Sequence, residues 1–402
     1  MKHYFKFKSA VPFSIWALGS VSFLLKISSV IIYALSPLFV TQVLGASTLV
    51  IGLLEAFIEA ITLLTRIFSG ILSDFIHKRK MIIAIGYLFA LASRPLLSLA
   101  TNVSGVFLGR AFDRIGNGLD APARDALVGD LAPPPVKGAC YGLRESLARA
   151  GSFFGSLIAI GLLWHTQNNY SFIFLLVSIP IFLALIVLLL FVKDPVSEKF
   201  QHRKSKKKLV FKDILAETLA LPLSFWLILL LSGLFMTSNF SGAFLILRAE
   251  QAGFDIHLIP LVMVIQNLGT TATAYPVGYF SDRVGRRSMM GLGIFLTVIS
   301  NLFLAESVSV FMVLAGVLTW GAQMGITSSI LAAFLADSSP EDVRGTAFGL
   351  FHLVNGVALI IANTLAGWVW SVVGPTHMFY TSAVIAVFSA IVLPFIHKKT
   401  QL

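Results

Sequence analysis

Apolar runs of about 20 residues, each long enough to cross a hydrocarbon core of ~30 Å, recur along all 402 residues of the chain. Hydropathy windows of about 19 residues place twelve of them, at 11–40, 48–73, 81–100, 104–131, 136–163, 171–192, 222–247, 257–281, 289–305, 308–337, 343–371 and 377–396. One water-soluble core cannot bury so many. Composition agrees, since 57% of the residues are apolar and 12% charged, against roughly 45–50% and about 25% in soluble domains. The expected fold is an all-α polytopic membrane protein of twelve transmembrane helices. The first run is too long for the core of a cleaved signal peptide, so it is read as a span.

The runs divide six and six about Lys193 to Asp213, where Gln201-His202-Arg203-Lys204-Ser205-Lys206-Lys207-Lys208 is too polar and basic to enter lipid. This predicts a first bundle over 1–192, a basic linker over 193–213 and a second bundle over 214–402. Segments on the linker side of the membrane hold 21 of the 30 Lys and Arg residues, and the opposite segments hold only Arg248. The positive-inside rule then puts both termini and the linker in the cytoplasm, in a protein of the cell inner (plasma) membrane. The basic clusters are short and scattered, without the continuous face that nucleic acid requires. A single cysteine, Cys140, leaves no internal disulfide, cysteine-based metal cluster or C-x-x-C chemistry. With no phosphate-binding Lys loop, nucleophile elbow or metal-ligand spacing, no enzyme activity, cofactor or metal is expected.

The two halves repeat. Gly70-Ile-Leu-Ser-Asp74 after span 2 matches Gly278-Tyr-Phe-Ser-Asp282 after span 8, 208 residues later. Asp130 with Lys137-Gly138 matches Asp337 with Arg344-Gly345 at a separation of 207. A near-constant offset across separate elements indicates duplication of a six-helix unit, a transporter plan in which solute binds near the midplane.

At these residues the chain resembles the major facilitator superfamily (MFS), over essentially its whole length. The loop pattern G-x-L-x-D-R-x-G-R-[RK] is present as Gly70 to Arg79, with Phe75 and His77 departing from it, and more closely as Gly278-Tyr-Phe-Ser-Asp282-Arg283-Val-Gly285-Arg286-Arg287. Arg114-Ile-Gly-Asn117-Gly118 is similar to the R-x-x-Q-G stretch of proton-coupled members. Gly142, Gly151 and Gly155 have the spacing of the antiporter glycine motif, with Ser156 at its proline. The chain is also similar to a bacterial group of poorly defined substrate through Val21-Ser-Phe23, Ser28-Ser29, Ile32-Tyr33, Asp113-Arg114 and Arg124-Asp125. Where that group has acidic residues in span 1 this chain has Lys26 and Val30, and where it has an arginine in span 4 this chain has Asp120. The inverted signs suggest an ion pair between Lys26 and Asp120.

Charges inside spans fall entirely in the first half: Lys26, Arg66, Arg94, Arg110, Arg114, Arg124, Arg144 and Arg149, with Glu55, Glu59, Asp113, Asp120, Asp125 and Glu145. Each costs at least roughly 2.5–3.5 kcal/mol at mid-membrane unless paired or facing a polar cavity. Arg110, Asp113, Asn117, Asp120 and Arg124 advance by three and four, a single helix stripe. Lys26, Tyr33, Arg114, Asn117, Asp120 and Arg149 are the candidates to touch solute, and Glu59, Asp113 and Glu145 to carry a proton. Arg66, Arg94, Arg110, Arg124 and Asp125, nearer the membrane boundaries, suit structural pairs. The second half offers only neutral groups and His352, a weak pointer to proton coupling. Gly70, Asp74, Lys78, Arg79, Asp130, Gly278, Asp282, Arg286, Arg287 and Asp337 are read as a cytoplasmic latch that gates the two halves.

The function expected is proton-coupled secondary transport, by alternating access, of a small polar or amphipathic, anion-bearing organic solute, with export favoured over uptake. The partners are solute, protons and membrane lipid, and the protein is expected to be monomeric. Two alternatives stand beside it: a carrier for a metal-chelating, siderophore-like metabolite, and a non-transporting receptor or assembly factor on the same fold.

Overall fold

A computed structural model describes residues 11–76, 78–133, 136–192, 222–339 and 344–396, with side chains described for all of these except 70–76, 275, 278–283, 336 and 344–346. The expected linker, 193–213, lies outside the described residues. All regular structure among the described residues is helical. The helices are α1 (Phe13–Leu38), α2 (Thr48–Ile76), α3 (Arg79–Ser98), α4 (Val103–Leu131), α5 (Lys137–Thr166), α6 (Tyr170–Leu176) and α7 (Ser178–Phe191). There follow α8 (Leu223–Thr237), α9 (Gly242–Gln251), α10 (Leu261–Val284), α11 (Arg286–Ala305), α12 (Val310–Ser338), α13 (Arg344–Val372) and α14 (Pro375–Ala390).

Twelve spans result, because α6 with α7, and α8 with α9, each form one interrupted span. Ten spans are long and apolar enough to cross a membrane by length and composition. The other two are α4, diluted by seven charged residues between Arg110 and Asp130, and α10, rich in Thr, Gly and amides.

The chain forms two compact units, residues 1–46 with 58–205, and residues 47–57 with 206–402. The first turns of α2 group with the second unit. In the first unit α1 packs on α5 and α7, and α3 on α4, around a core that includes Ile15, Leu18, Leu25, Ile83, Tyr87, Leu127 and Ile181. In the second unit α10 and α11 pack on α12, and α8 on α13 and α14, around Phe225, Phe235, Met290, Ile330 and Leu335.

The internal repeat appears as repeated chemistry. Asn102 caps α4 by accepting from Gly105 N at 2.8 Å, and Ser309, 207 residues later, caps α12 through Met312 N. Gly118 of α4 abuts Thr65 of α2 so closely that an added Cβ would stand 2.6 Å from the threonine Cβ, and a Cβ on Gly325 of α12 would crowd Thr273 Oγ1 of α10. Small residues at such crossings let helices approach within lipid, where packing replaces the hydrophobic effect as the driving force.

Both helix breaks have local causes. Pro180 has no N–H for the Leu176 carbonyl, and its ring crowds that carbonyl, so the helix ends at Leu176 and resumes at Ser178. Span 7, expected to be continuous over 222–247, is interrupted at Ser238–Ser241 without a proline. There Ser238 Oγ and Asn239 Nδ2 both donate to the Phe235 carbonyl, offering the backbone a local alternative to the helix ladder, and Ser241 caps α9.

Candidate functional site

The break at Val177 supplies the first anchor of a polar interior in the first unit. The Val177 carbonyl, at this break, accepts a hydrogen bond from Ser28 Oγ of α1 at 2.7 Å. Ser28 Oγ in turn accepts from Arg94 Nε of α3 at 3.1 Å. Arg94 also donates to Ser93, and its Nη1 lies 2.6 Å from Asp113 Oδ1 of α4. Arg94 is fully buried and Asp113 is 1% exposed, so this is an ion pair held in the protein interior. Arg114 Nε stands 3.7 Å from the other Asp113 oxygen, and its side chain is 24% exposed. Asn117 Nδ2 donates to the Asp113 main-chain carbonyl at 2.9 Å.

One to two turns further along α4, buried Asp120 pairs with Arg124 at i, i+4, with buried Tyr87 of α3 beside both. The partner of Asp120 is therefore the arginine of its own helix. That pair needs no second helix to hold it, and the planar guanidinium fork suits a carboxylate. Lys26 of α1 is exposed and has Arg114, Arg124, Asp120 and Glu145 as its charged neighbours.

Close approach of α1 and α5 brings Glu145 there. A Cβ on Gly151 would lie 2.3 Å from the Phe23 carbonyl oxygen, and one on Gly155 2.9 Å from Ile27 Cα. On α5, Arg144 spans Asp125 at 3.4 Å and Glu145 at 3.3 Å, and Glu145 also meets Arg149 at 3.3 Å, both about half exposed. The structure thus gathers Lys26, Arg114, Asp120 and Glu145 into one charged cluster, with Asn117 and Arg149 beside its members. Tyr33, half-buried, lies two turns from Lys26 on α1, and Glu59 is half-buried on α2.

Of the expected latch residues, Gly70, Asp74, Gly278 and Asp282 lie outside the residues whose side chains are described. Lys78 is exposed and Arg287 half-buried. Arg79 pairs with Asp130 at 2.6 Å and Arg286 pairs with Asp337, each within its own unit. In the second unit the amides bridge helices: Gln323 Nε2 donates to Asn239 Oδ1 at 3.1 Å, and Asn355 Oδ1 accepts from Ser232 Oγ at 2.6 Å. Asn363 Oδ1 accepts from Ser241 N at 2.7 Å.

The sequence matches the Major Facilitator Superfamily over residues 18–255 and 225–401. This chain belongs to that superfamily. It is 30% identical over 389 residues to an uncharacterized MFS-type transporter of Methanocaldococcus jannaschii, covering 95% of this chain and 94% of the relative. It is 25% identical over 342 residues to a gentisate transporter of Corynebacterium glutamicum, covering 81% of this chain and 75% of that one. Among solved structures, the nucleoside transporter NupG superposes with a TM-score of 0.80 at 13% identity, covering 96% of this chain and 100% of the other. A POT family transporter in complex with thioalcohol conjugated peptide gives 0.78 at 16% identity, covering 97% and 99%. These likenesses establish the fold and the class: the chain is an MFS transporter of the membrane.

Three site features of the MFS transporter escape a reading of the sequence. Tyr87 reads as one aromatic among many, although it lies two turns from Arg94 on α3 and so shares its face, which was an available signal. Ser28 as the link between Arg94 and the broken span 6 was signalled only by Pro180. Glu55, buried at 5% exposure, accepts from Ser241 Oγ at 2.8 Å, and nothing in local sequence marks a partner 186 residues away.

Proposed function

We propose that this MFS transporter moves a small, anion-bearing organic solute by proton-coupled alternating access, with solute bound at the Lys26, Arg114 and Arg149 face of the first unit. The observation that carries this reading is the division of the cations into two kinds. Arg94, Arg124 and Arg144 are buried against carboxylates. Arg114 and Arg149 are accessible and share theirs at 3.7 and 3.3 Å, and Lys26 is exposed. A carboxylate or phosphate arriving from solution meets the second kind. Bidentate geometry suits the two guanidinium groups to such an anion, and the relative named as a gentisate transporter points toward the same solute chemistry.

The test is flux in proteoliposomes with an imposed pH gradient, using a panel of radiolabelled organic acids that includes gentisate, alongside neutral and cationic solutes. Gradient-dependent accumulation of an organic acid, lost with a protonophore and lost in Arg114→Gln with Arg149→Gln, is expected. Accumulation confined to neutral or cationic solutes, or indifferent to the protonophore, overturns the reading.

A further inference from the structure

We propose that Lys26 is the group that takes up and releases the coupled proton, so that proton and solute anion occupy the transporter together. This rests on the proton-coupled reading above and assigns the proton to a different residue type from the carboxylates that the sequence suggests.

The first-unit carboxylates in the ion pairs described above are all committed to arginine. Asp113 is held by Arg94 at 2.6 Å and shared with Arg114, Asp120 by Arg124, and Asp130 by Arg79. Asp125 meets Arg144, and Glu145 meets both Arg144 and Arg149. An arginine does not give up its proton in proteins, so protonating any of these carboxylates strands a fixed cation. For Asp113 and Asp120 that cation is buried, where an uncompensated charge is most costly.

Lys26 differs in three respects. It is exposed on α1. Among the described residues no carboxylate lies within ion-pair distance of it and it makes no side-chain hydrogen bond. It is also a lysine, a side chain that can exist as a neutral amine and that enzymes use as a base.

The surroundings come from every helix packed on α1 in this unit. From α4 there are Arg114, Asp120 and Arg124, and from α5 Glu145, with Arg144 and Arg149 attached to it. From α3 there are Arg94, through Ser28, and Tyr87, through Asp120. On α1 itself Tyr33 lies two turns away, and α7 carries no titratable residue. The carboxylates facing Lys26 already have arginine partners, so its proton can leave without stranding a counter-charge.

The step balances simply. The amine takes one proton from water on the loading side and becomes an ammonium, adding a cation to Arg114 and Arg149. A monovalent anion then binds. Proton and anion leave together on the other side, the amine is restored, and no net charge has crossed. The coupling is therefore of the symport type.

The experiment needs no solute. Proteoliposomes carrying the full chain are adsorbed on a solid-supported membrane and given a pH jump of about two units across neutrality, where carboxylates, lysines and arginines in ordinary surroundings keep their charge, so that only a group set apart by its surroundings, as Lys26 is beside Arg114 and Arg124, responds. The displaced charge is recorded for the parent, Lys26→Arg and Lys26→Met, each verified as monodisperse by size exclusion. The arginine variant keeps the charge but cannot release the proton, so the displacement should be present in the parent and absent in both variants. Displacement persisting in Lys26→Arg overturns the assignment and traces the proton to another group, with Glu59→Gln and then His352→Gln as the next variants. No displacement in the parent removes the proton-coupled reading itself, and this proposal with it.

Discussion

Arg79 Nη1 lies 2.6 Å from Asp130 Oδ2, and 207 residues further along the chain Arg286 and Asp337 make the same pair. Each pair joins the first turn of one helix to the last turn of the next, α3 to α4 and α11 to α12. In this structure they staple neighbouring helices within a unit. The first pair is the more enclosed, at 11% and 19% exposure against 26% and 59% for the second. Asp130→Asn should therefore cost about 1.5–3 kcal/mol, in the range of a hydrogen bond to a charged group, and Asp337→Asn no more than about 1 kcal/mol. Thermal unfolding of the two variants in the same detergent checks the order, and equal losses would refute it.

The Arg94–Asp113 pair predicts a larger effect. Asp113→Asn leaves a buried guanidinium uncompensated and should cost about 3–5 kcal/mol, whereas Arg94→Met with Asp113→Leu should recover most of it. Ser28→Ala removes a donor from the Val177 carbonyl and an acceptor from Arg94, and should cost about 1–3 kcal/mol. A double-mutant cycle between positions 94 and 113 should give a coupling energy well above the few tenths seen between independent sites. Additive losses would mean that the pair is not the unit that matters.

Glycines of the antiporter-like motif separate into two kinds. Gly151 and Gly155 sit against the α1 backbone, while a Cβ on Gly142 would meet nothing within 4 Å. Gly151→Ala should push α5 off α1 and lower stability by about 1–3 kcal/mol through overpacking, displacing Glu145 from Lys26. Gly142→Ala should be neutral or stabilising by a few tenths of a kcal/mol, as for glycine within a helix. Melting temperatures of the two variants decide this, and the reverse ranking would exclude the α1–α5 crossing as drawn.

Such contrasts show where the sequence is legible. Hydropathy set the spans because lipid imposes a length on every helix, and the repeat was readable because Asp130 with Lys137-Gly138 and Asp337 with Arg344-Gly345 keep one offset. The stripe on α4 was readable from period alone. Partner choice was not: Asp120 could have met Lys26 across the unit or Arg124 on its own helix, and period places both within reach. The break at Val177 could be seen from Pro180, but the one at Ser238–Ser241 rests on side-chain hydrogen bonds with no proline to announce them. Neither hydropathy nor period says that the first turns of α2 belong with the second unit.

Those first turns carry the last prediction. Gly52 and Gly367 face each other so closely that a Cβ on Gly52 would stand 2.7 Å from Gly367 Cα and 2.5 Å from the Asn363 carbonyl. One turn along α2, Glu55 accepts from Ser241 Oγ, while Asn363 Oδ1 accepts from Ser241 N. Residues 47–57, α13 and the α8–α9 joint are thus tied at a single serine. Ser241→Ala removes the hydroxyl bond to Glu55 and the cap on α9 but leaves the main-chain bond to Asn363, and should weaken the attachment by about 1–3 kcal/mol because the Glu55 carboxylate is buried. If 47–57 opens as a local unit, amide hydrogen exchange in a peptide covering it should accelerate by roughly ten- to hundredfold for such a loss, while peptides from α3 and α4 keep their parental rates. Gly367→Ala should accelerate the same peptide by crowding Gly52. Unchanged exchange at 47–57 in both variants, with either one measurably less stable overall, would show that this segment opens only when the whole fold does.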